Sequence, residues 1–83
     1  MSGYNFCIII PRGKSGRKAL SDILKKYGAG DVCVPQLVTN GEYRGKLVVY
    51  TKLYFNKKDL GKISKENLEK EYLDIIVDRV WSL

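Results

Sequence analysis

Two alternating apolar segments on either side of an Asn-Gly pair at positions 40–41 constrain this fold more than any other feature. Residues 32–39 and 42–55 repeat apolar side chains with a period of two, which is typical of half-buried strands. Asn-Gly is the preferred pair for a two-residue type I′ turn, so we expect an antiparallel hairpin in which Val34 faces Leu47. The predicted buried face holds Val32, Val34, Val38, Tyr43, Leu47, Val49, Leu53 and Phe55.

The opposite face of this hairpin alternates cationic and aromatic side chains. Its members are Arg44, Lys46, Val48, Tyr50, Lys52 and Tyr54. Such a stripe suits a nucleic acid single strand, although it is more often the solvent face of an antiparallel sheet. The segment is weakly similar to the sheet motif of RNA-recognition domains. That motif needs aromatic residues where Lys46 and Val48 stand, so base stacking through it is not supported.

The segment before the hairpin predicts a strand followed by a helix. Residues 4–10 form an apolar run that Pro11 ends, because proline has no N–H to donate to a ladder. A loop rich in glycine, serine and positive charge follows. Ser15 is the predicted N-cap of a helix through Tyr27, and Gly28 suits the position just after its end.

The last segment fits two kinds of element. Ser64 is a good N-cap, and the apolar stripe after it favours a helix over residues 64–82. The β-branched residues within 74–81 allow a final strand instead. With the helix, the predicted fold is a single α+β domain over residues 1–83. Its elements follow the order β-α-β-β-α, with two helices on one face of a small, mainly antiparallel sheet.

The net charge of +6 is unevenly distributed along the chain. It is +5 over residues 1–30, +3 over 31–63 and −2 over 64–83. A basic body suggests a polyanionic partner, although solvated lysines are common in small proteins. The apolar run at residues 6–10 is too short to span a membrane, and the N-terminus lacks the pattern of a signal peptide. We therefore expect a cytoplasmic protein with no membrane partner.

The residue types present exclude several chemistries. The chain has no histidine and only two cysteines, Cys7 and Cys33, which excludes histidine-based triads and zinc sites of the Cys-x-x-Cys/His kind. Residues 13–15 read Gly-Lys-Ser like the end of a phosphate-binding P-loop, but Ile8 stands where that motif requires glycine. We predict no enzyme activity, no catalytic residue, no metal or cofactor and no small-molecule substrate.

The loop before the first helix is the first candidate site. A helix N-terminus presents amide groups and the positive end of the helix dipole, which favours a phosphate. An ordinary solvated loop is the alternative. The first basic cluster, predicted to bind RNA, consists of Arg12, Lys14, Arg17 and Lys18.

Three segments of the chain carry a family resemblance: residues 46–49 read Lys-Leu-Val-Val, residues 55–58 Phe-Asn-Lys-Lys and residues 64–65 Ser-Lys. They resemble the Lys-Ile-x-Val strand, the Phe-Ser-Lys-Arg and the Thr-Lys of the eukaryote-specific large-subunit ribosomal protein twenty-two family. The match runs without a gap over residues 46–80, and residues 4–11 resemble the family's opening strand. The resemblance implies a non-enzymatic constituent of the large ribosomal subunit, which binds ribosomal RNA beside neighbouring large-subunit proteins. It also favours the helix over residues 64–82.

The resemblance supplies a second candidate site. The second basic cluster consists of Lys57, Lys58, Lys62 and Lys65. Of these, Lys57 and Lys58 match the family's cations most directly. The family's second helix is basic, whereas this one is acidic, so we expect its acids to form surface ion pairs with Lys65, Lys70 and Arg79 rather than meet RNA. If the first and third strands are parallel neighbours, both basic clusters open at one edge of the sheet as a continuous surface.

Another class of function remains open from the sequence. The opening strand and helix, with Val-x-Val-Pro at residues 32–35, loosely resemble the N-terminal domain of the NusG transcription factors. That resemblance implies a polymerase-binding module rather than an RNA-binding protein. An inhibitor that binds a host protein is a further alternative.

Overall fold

The computed structural model describes residues 3–81, except for the side chain of Lys57. The predicted α+β class is confirmed, with two helices and a small antiparallel sheet. No helix among the described residues is long and apolar enough to cross a membrane. The elements are β1 (Phe6–Ile10), α1 (Lys14–Tyr27), β2 (Gly28–Val32), β3 (Gln36–Leu37), β4 (Leu47–Leu53), a 3₁₀ turn (Lys57–Asp59), α2 (Lys62–Glu71) and β5 (Ile76–Val80).

β4 and β1 form the centre of the sheet. The strand order is β2-β4-β1-β5, and the short β3 also pairs with β4. The pairings between described strands are all antiparallel. Consequently β1 and β2 are parallel to each other on either side of β4, and β4 and β5 are parallel on either side of β1. The chain therefore forms two interleaved β-α-β units, the order of elements found in ferredoxin-like folds.

Both helices cover one face of the sheet, as predicted. Phe6, Ile8 and Ile10 alternate along β1 onto this face and are fully buried. They pack with Ile23 of α1 and Leu68 of α2 in one core cluster. Full burial of a side chain of this size contributes about 1.5–3 kcal/mol, so the cluster fixes both helices against the sheet.

The C-terminal segment differs from the helix predicted over residues 64–82. α2 ends at Glu71, and β5 pairs with the edge of β1, so the alternative of a final strand is confirmed. Ile75 and Val77 belong to the buried core. β-branched side chains favour strands, and as a strand this segment pairs with β1 and places Val77 in the core.

The register of the predicted hairpin is wrong. Leu47 pairs with Leu37 rather than with Val34. Val34 is 78% exposed, so its assignment to the buried face is also wrong. β4 itself keeps the predicted alternation, because Val49 and Leu53 are buried against the helices.

Asn40 and Gly41 do not form a type I′ turn. That turn needs a positive φ at both central residues, but Asn40 has none, whereas Gly41 (88°) and Gly45 (87°) do. The loop closes further along the chain, where the Val38 N–H donates to the Lys46 carbonyl and the Val38 carbonyl accepts the Gly45 N–H, both at 2.9 Å. Gly45 thus supplies a second bend and lengthens the connection.

The start of α1 depends on a close approach to the end of β1. Gly13, not the predicted Ser15, occupies the cap position, with φ of 102°. In the first turn, a Cβ on Gly16 would lie 2.0 Å from the carbonyl oxygen of Pro11. At the other end, Gly28 is extended rather than left-handed, because it is the first residue of β2.

Candidate nucleic-acid interface

The first basic cluster surrounds the N-terminus of α1. Its four side chains are all exposed. No side chain caps this terminus, and the first turn contains no acid. The positive end of the helix dipole therefore faces solvent beside four cations, an arrangement that attracts an anion such as phosphate.

The second basic cluster lies between the end of β4 and the first turns of α2. Except for Lys57, whose side chain lies outside the described residues, its members are exposed. Ser64 is the third residue of α2 rather than its N-cap. Its hydroxyl accepts the Gly61 N–H and donates to the Gly61 carbonyl, both at 3.0 Å. The Ser64 hydroxyl thus satisfies the N–H of Gly61, the residue before α2, and the exposed lysines add positive charge beside this helix terminus.

The two basic clusters lie at opposite ends of the sheet, not at one edge. β1 and β4 are neighbours but antiparallel, with Ile10 paired to Leu47 and Phe6 paired to Thr51. The first cluster follows the end of β1 and the second follows the end of β4. The length of β1, about 13 Å, therefore separates them. The expected continuous surface is wrong because it assumed that these strands are parallel.

The face of the sheet turned away from the helices carries a second set of side chains. Cys7 and Ile9 at its centre are almost fully buried although no helix covers them. They are shielded by longer side chains on the flanking strands and segments. We refer to this surface as the open face; its members are Tyr4, Cys7, Ile9, Lys46, Val48, Tyr50, Lys52, Ile76, Arg79 and Trp81.

Three aromatic rings form a row on the open face. The ring centroid of Tyr50 lies 6.2 Å from that of Tyr4 and 6.1 Å from that of Trp81. The Arg79 guanidinium lies 5.2 Å from the Trp81 ring centroid, within the range of a cation–π contact. Tyr4 and Tyr50 are 43% and 39% exposed. The sequence prediction missed this row because it placed Trp81 at the end of a helix. The β-branched residues just before Trp81 were the signal for a strand, which would have placed Trp81 beside the sheet.

Charges on the open face are mainly positive. Lys52 follows Tyr50 on the same face of β4, Lys46 lies just before this strand, and Arg79 lies across β1 from Tyr50. The carboxylate of Asp78 also acts on this surface, at Cys7 and Tyr50. Burial and then the charge of Asp78 raise the pKa of the Cys7 thiol.

The cysteines have no features of a reactive site. A raised pKa keeps the Cys7 thiol protonated near neutral pH, whereas a nucleophilic cysteine needs a lowered one. Cys33 is half-buried, and its Sγ accepts the Tyr50 N–H at 3.1 Å. Among the residues that the structure describes, no three His, Cys, Asp or Glu side chains are grouped to hold a metal ion.

Most cations have no acidic partner. Within the described part of the chain, the salt bridge present joins Lys26 of α1 to Glu71 of α2. The expected ion pairs of Lys65, Lys70 and Arg79 are not formed there. Glu69 instead accepts the backbone N–H of Val77 at 2.8 Å, so one acid of α2 anchors β5. The positive charge of the described side chains is therefore left largely uncompensated.

No family model, curated protein or solved structure matches this chain. Its function must therefore be inferred from the placement of its own residues.

Proposed function

We propose that this protein binds RNA through its exposed cations, as a structural constituent of a ribonucleoprotein particle such as the large ribosomal subunit. The observation that carries the proposal is the lack of internal charge compensation. Among the described side chains, Lys26 is the cation that has a carboxylate within 4 Å, although the net charge is +6. Exposed, uncompensated cations bind the phosphate backbone, and they release its counterions on binding.

The separation of the basic clusters favours a particular mode of contact. The first basic cluster lies beyond the end of β1, and the second lies beyond the end of β4. An RNA that contacts both must extend along the sheet or meet the protein at two separate points. Phosphate contacts of this kind position a protein without reading sequence, as expected of a structural constituent.

The ribosomal part of the proposal depends on the resemblance to the large-subunit ribosomal protein twenty-two. That resemblance implied a helix over residues 64–82, whereas the chain forms β5 at Ile76–Val80. Its support is therefore restricted to the segment from residue 46 to the end of α2 and to the opening strand.

Co-sedimentation with ribosomes of the host cell, before and after a high-salt wash, tests the ribosomal role. We expect association that survives a moderate wash, together with affinity for isolated RNA that falls steeply with salt. Binding of RNA without ribosome association would remove the ribosomal role alone. If no RNA is bound and a polymerase or another host protein is retained instead, the whole proposal is wrong.

A further inference from the structure

We propose that the open face binds unpaired bases of a single-stranded nucleic acid, with Tyr50 as the central stacking platform between Tyr4 and Trp81. This inference rests on the proposed function, because the same polyanion supplies the bases. It adds a second surface, distinct from both basic clusters, and a class of ligand.

The geometry of the aromatic row leaves ring faces available. Within the core, Tyr27 and Phe55 stack on each other at 4.9 Å with an interplanar angle of 17°. On the open face, the rings of Tyr4 and Trp81 lie more than 6 Å from that of Tyr50 and are tilted by 40° and 32°. Rings at these distances and tilts do not cover each other's faces. The rings of Tyr4 and Tyr50, which are 43% and 39% exposed, can therefore each accept a base. Stacking on aromatic side chains is tolerant of base identity.

The cations of the open face lie where a nucleic acid backbone would pass. Lys52 is two residues from Tyr50 on the same face of β4, which is about 7 Å along the strand. A base stacked on Tyr50 would therefore bring its phosphate within reach of the lysine side chain. Arg79 orients the Trp81 ring through its guanidinium and adds a further positive charge beside it.

Two other occupants fit this surface less well. A second copy of the chain, related by a two-fold axis, would bring the same cations against themselves, and like charges that face each other are unfavourable. A base-paired duplex presents its bases stacked on one another, so their faces are not available to the rings. The unpaired strand uses both the aromatic faces and the flanking charges.

The positions of Tyr4 and Trp81 also explain why the sequence of β4 alone matches the sheet motif of RNA-recognition domains only in part. The motif of RNA-recognition domains places aromatic residues where this chain has Lys46 and Val48. Here the neighbours of Tyr50 come from other positions, one before β1 and one after β5. The same kind of surface is thus assembled from residues that are far apart in the chain.

Trp81 is the only tryptophan of the chain and provides the test. We would titrate the full chain with oligouridylate, oligothymidylate and a fully paired RNA hairpin, and follow Trp81 fluorescence. Quenching by the single strands, and little by the hairpin, is expected. Tyr50→Leu should weaken single-strand binding between about fivefold and about a hundredfold, whereas Tyr50→Phe should retain it. A preference between the two single strands distinguishes RNA from DNA as the source of the bases.

A second pair of variants tests the same surface without changing Tyr50, so the result does not depend on whether Tyr50→Leu is stably folded. Lys52→Ala and Lys25→Ala each remove one positive charge, on opposite sides of the sheet. The first should weaken single-strand binding about fivefold near 0.1 M salt, and the second should change it little.

The possible failures are distinguishable. RNA binding with a normal salt dependence, but with no Trp81 quenching and no effect of Tyr50→Leu or Lys52→Ala, would overturn this inference and leave the proposed function intact. Failure to bind any RNA would overturn both. A sedimentation shift of the protein alone that Tyr50→Leu abolishes would assign the open face to a second copy instead.

Discussion

The side chain of Asn5 extends the pairing of β1 with β4 by one residue. Its Nδ2 donates to the Leu53 carbonyl at 2.7 Å, and its Oδ1 accepts the Leu53 N–H at 2.8 Å. The backbone of Asn5 also donates to the Thr51 carbonyl and accepts the Trp81 N–H. One buried residue thus joins β4 on one side and the segment after β5 on the other, and so helps to position Trp81 on the open face.

Replacing Asn5 should destabilise the fold. Asn5→Ala leaves the N–H and the carbonyl of Leu53 without their partners in a buried setting, so we expect the free energy of unfolding to fall by about 2 kcal/mol. Urea denaturation followed by circular dichroism measures this. Asn67→Ala, at an exposed position of α2, is the control and should change stability little. Equal effects of the two variants would contradict the role given to Asn5.

Gly16→Ala should destabilise the protein, although alanine ordinarily stabilises a helix relative to glycine. The added methyl group would lie 2.0 Å from the backbone oxygen of Pro11, so either α1 or the end of β1 must move. We expect a loss of about 1–3 kcal/mol in the free energy of unfolding. Ser21→Ala, exposed on the same helix, should be neutral or slightly stabilising. A stabilised Gly16→Ala protein would mean that α1 does not approach Pro11 so closely.

The ion pair between the helices predicts a pH dependence of stability. Hydrogen bonds from Lys26 and Tyr27 lower the pKa of Glu71 from its ordinary value of 4.5. A carboxyl whose pKa is lowered in the folded state stabilises that state at pH values above its unfolded pKa. This contribution is lost as the pH falls through the folded pKa. Glu71→Gln should therefore reduce stability at neutral pH and converge with the wild type in acid below about 4.5.

Urea midpoints at neutral and acid pH measure the effect of Glu71. The pair is largely exposed, so the difference should be small. Glu66→Gln, which removes a charge from an exposed position of the same helix, is the matched control. The ion pair would have no role in stability if Glu71→Gln followed Glu66→Gln at every pH.

RNA affinity should fall steeply with salt, and each basic cluster should contribute to the slope. With roughly five to eight phosphates engaged, the log–log slope should lie between about −4 and −7. Lys14→Ala with Arg17→Ala, or Lys57→Ala with Lys58→Ala, should reduce its magnitude by about two units. Filter binding at several salt concentrations gives these slopes.

A double variant of Lys25 and Lys26 is the control for the salt experiment. It removes the same charge from the C-terminal end of α1, which lies beside the end of β4 because the Tyr54 N–H donates to the Tyr27 carbonyl at 2.7 Å, so it tests whether the helix layer takes part in binding. If this variant abolished binding while the two cluster variants did not, the binding surface would lie on the helix layer instead.

Local sequence patterns correctly predicted those helices and strands whose apolar residues meet the core on the side that the pattern indicates. β1, α1 and the alternation of β4 followed from periodicity, because their apolar positions meet a core on the expected face. β5 could not be decided locally, since its apolar residues fit both a helical and a strand period. The available edge of β1, which lies far away in sequence, decides between them.

The candidate site was predictable only in part. The described residues of both basic clusters are exposed, as their charge predicts. The distance between the two clusters, however, depends on β4 running antiparallel to β1, which the sequence did not indicate. The alternation of Lys46, Tyr50, Lys52 and Tyr54 in the sequence indicates a surface suited to a single strand. Their combination with Tyr4 and Trp81 depends on three strands that meet side by side, which no local pattern contains.

The central position of β1 determines when a nascent chain can fold. Phe6 pairs with Thr51 on one side and with Val80 on the other, so β1 must wait until residue 80 has been synthesised before both partners exist. Pairings this distant in sequence form slowly, because loop closure precedes the stabilising contacts. Until β5 arrives, one edge of an apolar strand is unpaired and open to association with other chains. Rapid and complete synthesis should therefore favour soluble protein, and stalling before residue 76 should favour aggregates.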